Sequence, residues 1–359
     1  MSTGFAFLCF VGEIKSKTRV RIYLTNQAVG CTLVTMSDTQ QAEPKTLQQA
    51  IIYFSDPDRC LAYLVARRWP TGVSCPTCGR ADVRFLANQR KWQCKSVHHH
   101  RQFSVKVGTI FEDSPLGLDK WLTAAWTITN DKNAISSYEV ARALGVTQKT
   151  AWFMMHRIRK AMQTGSFLKK FSGEVEVDET FIGGKARNMH IAQRKRRITG
   201  SGTKGKVAVM GILERGGEIR TAVVDNRKKK TLQDEVREHV QAGSALYSDD
   251  LKSYEGLEGQ YAHKVINHAV AYVDGVVHTN TLENFWSLLK RGLHGTYVSV
   301  EPFHLFRYLD EQAFRYNHRK ELNDGDRFSL VISQVVGKRL TYKELIGKTA
   351  MEKQKHLFN

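Results

Sequence analysis

Residues 174–182 read EVEVDETFI, and their alternation decides the fold. A period of two places Val175 and Val177 on one face of a β-strand and Glu174, Glu176 and Asp178 on the other. Outward from this strand lie further β-rich runs, KVAVMGIL (206–213) and EIRTAVV (218–224), separated by basic or Gly-containing turns. Helical TLQDEVREHV (231–240), strand-like SALYSDD (244–250) and the short strand KVINHAV (264–270) follow. Strands followed by mixed helix and strand predict an α/β domain built on one central sheet, beginning near residue 173.

Two more acids stand where a strand or helix signature changes character. Asp249 follows ALYS, so it emerges at the end of a strand. Glu283 begins a helix, HTNTLENFWSLLKRG, whose Leu282, Phe285, Trp286 and Leu289 form the apolar stripe. Glu283, Ser287 and Lys290 share the adjoining face, so the acid reaches the sheet edge while Lys290 reaches a phosphate. A single Asp or Glu is ordinarily a solvated charge. Three carboxylates on one rigid base instead bind hard divalent cations, Mg²⁺ or Mn²⁺. Two such metals, about 3.5–4 Å apart, activate a water or a 3′-hydroxyl and stabilise the leaving oxygen of a phosphodiester. Asp250, Glu179 and Glu176 are alternative ligands near the first two acids, and Asn280 and Asn284 near the third.

Charge names the substrate. The chain has 359 residues, 42% hydrophobic and 25% charged, with 54 Lys and Arg against 35 Asp and Glu, a formal net charge of +19. That excess calls for a polyanion, since each neutralised phosphate releases condensed counterions. No stretch approaches the roughly 18 consecutive apolar residues of a membrane span, and GFAFLCFVG near the start lacks the basic flank of a signal peptide. Six cysteines, three of them grouped, indicate metal binding in a reducing cytoplasm rather than a disulfide framework.

Cys75 and Cys78 form the knuckle CPTCG, and Cys94 opens WQCKSVHHHRQFS. A tight CxxC turn aims two thiolates at one point, and Cys94 with His98 completes a tetrahedral Cys3His site suited to structural Zn²⁺. His99 and His100 compete for the fourth position. Next, SSYEVARALGVTQKTAWFMMHRIRKAM (136–162) reads as a helix-turn-helix: Ser136 and Glu139 make a capping box, Gly145 ends the first helix and Thr147 caps the second. Ala151, Met155, Ile158 and Met162 form its apolar stripe. Gln148, Lys149, His156, Arg157 and Lys160 are donors for phosphates and base edges on the other face. A helix from Leu118 to Thr129 supplies a third packing partner, with Trp121 and Trp126 in the core. A basic excursion from Lys185 to Arg197, including Arg194, Lys195, Arg196 and Arg197, separates the first two strands of the α/β domain and offers a grip on a DNA backbone. RKKK (227–230) offers another.

In order, CPTCG, RQFSVKVGTIFEDSPLGLDKW, VDETFIGGK, YSDDLKSY, HTNTLENFWSLLKRGLHGTY and FRYNHR resemble the bacterial insertion-sequence transposases of the ISXO type. The resemblance covers about Thr46 to Arg327. It implies an N-terminal zinc ribbon joined to a DDE catalytic domain of the RNase H-like fold, with Asp178 and Asp249 as the catalytic aspartates, the third acid within NTLENFW, and Lys290 as the basic residue beyond it. The first 35 residues have no counterpart, and the histidine run replaces the more usual second CxxC.

The expected architecture is therefore multidomain: a poorly ordered arm over 1–45, with Met36 an alternative start; a helical lead-in and zinc ribbon over 46–112; a helix-turn-helix region over 113–165; an RNase H-like domain with a central mixed sheet over 173–325; and a tail over 326–359. The expected function is metal-dependent transposition on double-stranded DNA, joining element ends to target DNA. It would be carried out by a homo-oligomer in the bacterial cytoplasm beside the nucleoid. A non-catalytic DNA-binding regulator using the same ribbon and helix-turn-helix is the alternative.

Overall fold

The computed structural model describes residues 42–163, 169–183, 190–197, 205–249, 251–266 and 278–347. The arm expected before residue 42, Asp250 and the last twelve residues lie outside this set. Among the described residues no helix is long and apolar enough to cross a membrane.

Two short helices open the described chain. Helix α1 (Leu47–Phe54) is capped by the Thr46 side chain, and α2 (Pro57–Arg68) by Asp56, whose carboxylate accepts from Asp58 N at 2.8 Å. Pro57 occupies the first helical turn, where its missing N–H costs nothing. A small antiparallel sheet follows, of β1 (Val83–Leu86), β2 (Lys91–Cys94) and β3 (Gln102–Phe103). Trp92 on β2 pairs with Phe103 on β3, and the two rings stack with centroids 6.0 Å apart. Helix α3 (Leu118–Asn130) then buries Trp121 and Trp126. Helices α4 (Ser137–Leu144) and α5 (Gln148–Met162) carry the expected signals. The Ser136–Glu139 capping box is formed, Gly145 turns the chain at φ 60°, and Thr147 caps α5.

The second layered region is a five-stranded mixed sheet. Its strands are β4 (Glu174–Ile182), β5 (Val207–Glu214), β6 (Ile219–Val224), β7 (Ala245–Asp249) and β8 (Ala262–Ile266), in the order β6-β5-β4-β7-β8. The first three are antiparallel, while β4 with β7 and β7 with β8 are parallel. Helix α6 (Ile191–Arg197) lies within the basic excursion, so part of that segment is helical rather than loop. Helix α7 (Lys229–His239) makes the crossover to β7 and covers one face, packing Leu232 and Val236 with Val175, Val177, Met210 and Ile212. Helices α8 (Asn280–Arg291) and α9 (Leu305–Asn317) cover the other, packing against Ile182, Val209 and Leu213. Strand β5 is apolar on both faces because both are covered.

The chain beyond residue 325 differs from the expected tail. Helix α10 (Asp324–Ser333) places Phe328, Val331 and Ile332 in the same core as α1, α2 and α3, and the Phe328 ring stacks on Tyr63 with centroids 5.8 Å apart. With Val335, these residues follow the i, i+3, i+4, i+7 spacing of a core-facing helix. The chain then bonds Val335 O to Ile110 N at 3.1 Å and Gly337 N to Gly108 O at 2.9 Å, ahead of the short helix α11 (Tyr342–Leu345). Ribbon, helices and C-terminal segment thus share one hydrophobic core. Between α5 and α9 runs a buried ion pair, Arg159 Nε to Glu311 Oε2 at 2.6 Å, and Glu311 also accepts from Tyr297 and Arg315 at 2.5 Å.

Candidate active site and zinc centre

Asp178 lies on the face of β4 that carries Glu176, Thr180 and Ile182, as the alternation requires. The parallel ladder pairs Glu176 with Tyr247 and ends there, while both strands run on for at least two residues. Asp249 therefore stands beside Asp178 where the two strands separate. Such a gap at the carboxyl ends of parallel strands is where open α/β sheets bind ligands. Glu283, on the first turn of α8, completes the wall.

A cleft of about 460 Å³ is lined by Asp178, Glu179, Glu283, Trp286, Ser287 and Lys290. Asp249 and Glu283 both bear electrostatically on Asp178. The alternative residues Asn280 and Asn284 are exposed and do not line the cleft. Burial, then the charge of Asp249, pushes the Asp178 carboxyl up to about 6, although two hydrogen bonds oppose the rise. Its Oδ1 accepts from Glu179 N at 2.8 Å and its Oδ2 from Trp286 Nε1 at 2.9 Å. The neighbouring Glu179 is pushed further, to about 8, by burial and by the charges of Asp249 and Asp178, and accepts a bond from the Tyr254 hydroxyl.

What holds α8 against the sheet was not evident in the sequence. Glu176, considered there as a ligand, is fully buried and committed elsewhere. Its carboxylate accepts from Leu282 N at 3.0 Å, Thr281 Oγ1 at 3.0 Å and Arg215 Nε at 2.8 Å. Thr279, the residue at the helix cap, makes no side-chain capping bond, so a strand residue supplies the cap that local sequence lacks. A negative charge at this helix end also complements the macrodipole. Opposite Asp178 on β5 stands Gly211; a Cβ there would lie 2.7 Å from the Trp286 ring and 2.8 Å from Leu282. Only a glycine admits the indole close enough to reach Asp178.

The second centre is compact. Ligand atoms of Cys75, Cys78, Cys94 and His98 lie within 4.8 Å of one another, the only such group of three or more His, Cys, Asp or Glu among the described residues. Cys75 Sγ is 3.5 Å from His98 Nε2, and Cys78 Sγ is 3.6 Å from Cys94 Sγ. His98 Nδ1 sits 2.5 Å from the His99 carbonyl, which fixes the tautomer that turns Nε2 toward the thiols. Burial would raise the Cys94 thiol, but His98, the Ser96 backbone and Cys78 hold it down to about 6. Three sulfurs and one imidazole, closed to further ligands, fit a structural zinc ion.

The expected DNA-contacting residues separate into two groups. Lys149, Arg194 and Lys195 are exposed, and Gln148 is half-buried, its amide donating to Ser137 Oγ at 2.8 Å. The side chains of Arg196 and Arg197 lie outside the described residues. Arg157 faces inward, contrary to the helical-wheel reading: it is only 4% exposed, with Nε on Leu340 O at 2.9 Å and Nη1 on Glu112 O at 2.7 Å. His156 is fully buried as well, among Trp152, His304 and Tyr308. Lys160 donates to Arg339 O at 2.6 Å. For Arg157 and Lys160 the physical reason is the C-terminal segment, whose Leu340 and Arg339 carbonyls accept from them; His156 is covered instead by His304 and by Tyr308 of α9.

Residues 170–317 match the ISXO2-like transposase domain, and residues 55–100 match the transposase zinc-ribbon domain. A Halobacterium salinarum protein described as an uncharacterized protein in transposable element ISH50 is 30% identical over 254 residues, 66% of this chain and 83% of its own length. An uncharacterized transposase-like protein of Haemophilus influenzae is 31% identical over 102 residues, 28% of this chain and 82% of its own. No solved structure matches. On these similarities the chain belongs to the family of ISXO2-like transposases.

Proposed function

We propose that this chain is a DDE transposase of RNase H-like fold that binds the ends of its element and carries out metal-dependent DNA cleavage and strand transfer. The observation that carries the reading is the placement of Asp178 on β4 and Glu283 on α8 in one cleft, with Asp249 at the end of the adjacent parallel β7 near enough for its charge to raise the Asp178 carboxyl. The sheet, with three antiparallel strands continued by two parallel ones across the α7 crossover, supports the RNase H-like assignment.

The donor set fits Mg²⁺ or Mn²⁺. Asp178, Asp249 and Glu283 offer hard oxygens, and a divalent cation opposes both the burial and the Asp249 charge that raise the Asp178 carboxyl. Two such ions would supply activation of the attacking hydroxyl and stabilisation of the leaving oxygen. Trp286 and the Glu179 backbone hold the Asp178 carboxylate in one orientation. Lys290 and Ser287, across the cleft from Asp178, are placed to hold a backbone phosphate.

DNA binding is assigned to the zinc ribbon, to the α4–α5 helix-turn-helix through Gln148, Lys149 and Lys160, and to the basic helix bearing Arg194, Lys195, Arg196 and Arg197. Arg157 is not included. Pairing of two element ends implies a homo-oligomer on DNA, and the expected location is the bacterial cytoplasm beside the nucleoid.

The test is incubation of the zinc-loaded protein with Mg²⁺ or Mn²⁺, element-end DNA and a target plasmid. Joined products that vanish in Asp178→Ala are expected. Cleavage without joining would make the chain a nuclease. Binding without either would make it the non-catalytic regulator, and activity retained in Asp178→Ala would remove the acidic triad from the chemistry.

A further inference from the structure

A cavity of about 360 Å³ opens beside α5, remote in sequence from the acidic cleft. One wall is α5, through Lys149, Phe153 and Arg157. The floor is the loop 113–116 with the Trp121 ring, and the far wall is Tyr342 of α11. Its volume falls in the range of about 300 Å³ upwards usual for small-ligand pockets. The lining is mainly aromatic and aliphatic, yet it contains a buried cation. Arg157 uses Nε and Nη1 on backbone carbonyls, which leaves Nη2 without a hydrogen-bond partner among the described residues. The guanidinium also lies over the Phe153 ring, 4.5 Å from its centroid. Lys149, exposed at the rim, has its ammonium 4.8 Å from the Tyr342 centroid.

Flat aromatic walls, a fixed guanidinium donor and a cation at the mouth are complementary to one kind of group: a planar, hydrogen-bonding ring attached to a phosphate. A peptide side chain meets the walls or the cation but seldom both. We infer that this pocket receives an unpaired nucleobase of bound DNA, stacked on Tyr342 with its edge toward the Phe153 ring, which stands at 79° to Tyr342 with centroids 5.7 Å apart, with Arg157 Nη2 donating to a base carbonyl or ring nitrogen and Lys149 on the adjoining phosphate. The role of Arg157 is thereby changed from phosphate donor on an open helix face to base reader inside a pocket. The C-terminal segment, by closing the far wall, makes that pocket possible. The inference rests on the DNA-binding part of the proposed function and not on the metal site.

The experiment uses two 30-mer duplexes of the same sequence, one fully paired and one with a single unpaired 2-aminopurine, and full-length zinc-loaded protein without divalent metal. The unpaired duplex is expected to bind about tenfold or more tightly, with its fluorescence quenched on binding. Tyr342→Ala, at an exposed position, and Phe153→Leu, which removes the ring but keeps a branched apolar side chain, are each expected to erase that preference while leaving affinity for the paired duplex and zinc content unchanged. Equal affinity for the two duplexes overturns the pocket assignment while DNA binding stands, as does a preference that survives both substitutions. Failure to bind either duplex overturns both.

Discussion

The indole Nε1 of Trp286 donates to Oδ2 of Asp178 across 2.9 Å, linking the stripe residue of one helix to the acid of the central strand. A tryptophan otherwise buried in the core thereby sets the orientation of a carboxylate whose charged form burial and Asp249 both oppose. Replacing the indole by a phenyl ring removes the donor, together with part of a buried ring. In Trp286→Phe the bond to a charged acceptor is lost, at about 1.5–3 kcal/mol of stability. Urea unfolding measures that cost, and strand transfer is expected to slow by tenfold or more as the carboxylate loses its constraint.

Gly211 makes that contact sterically possible. In Gly211→Ala the added methyl meets a ring and a leucine that are both buried, so α8 must shift. A loss of about 1–3 kcal/mol is expected from overpacking, with reduced strand transfer. Alanine tolerated at full activity would show that α8 need not sit so close.

Glu176 holds the start of α8 through a charge, and its loss takes from Arg215 its fully buried partner, leaving the more distant Glu174 and the His278 carbonyl. Glu176→Ala is expected to cost about 3–5 kcal/mol. Hydrogen exchange at Leu282 N and its neighbours should accelerate more than exchange elsewhere on the sheet. Glu176→Gln, which retains an acceptor, should restore part of both.

Asp178 fixes a pH dependence. Because its folded carboxyl is raised to about 6, the metal-free fold binds that proton more tightly than the unfolded chain does. The associated stability is present below the ordinary aspartate range and is lost as pH rises through about 6. A divalent cation binds only the ionised form and opposes the loss. The increase in Tm produced by Mn²⁺ should accordingly be larger at pH 8 than at pH 5, and Mn²⁺ affinity should weaken by up to about tenfold per unit below pH 6.

Chelation tests the ribbon. Its Trp92 and Phe103 pack on Trp69, which follows α2, so loss of zinc should release the ribbon and expose all three rings. A red shift of tryptophan emission with a chelator, reversed by Zn²⁺, is expected, and Cys78→Ser should reproduce it. His99→Ala should retain zinc, because the His98 ring faces the thiols.

Local signals in the sequence determined the elements. Alternation in EVEVDETFI placed Asp178 opposite Val175 and Val177. The Ser136–Glu139 box and Gly145 bounded α4 and α5, and the CxxC spacing located the cluster of three thiols and an imidazole. Each depends on neighbours a few residues apart, where backbone geometry leaves few choices. The tertiary structure decided what depends on distant chain. It lined the acidic cleft with Glu283 rather than Asn280 or Asn284, because α8 is docked by Glu176, 106 residues before its partner Leu282. It turned Arg157 inward, because a segment 183 residues later supplies the carbonyl that accepts from it. It also drew residues 326–345 out of an expected tail into the core, although the spacing of Phe328, Val331, Ile332 and Val335 already marked a buried face. An apolar stripe states that a helix needs a partner. Which surface provides that partner is settled only when the packed elements leave one cavity of the right shape.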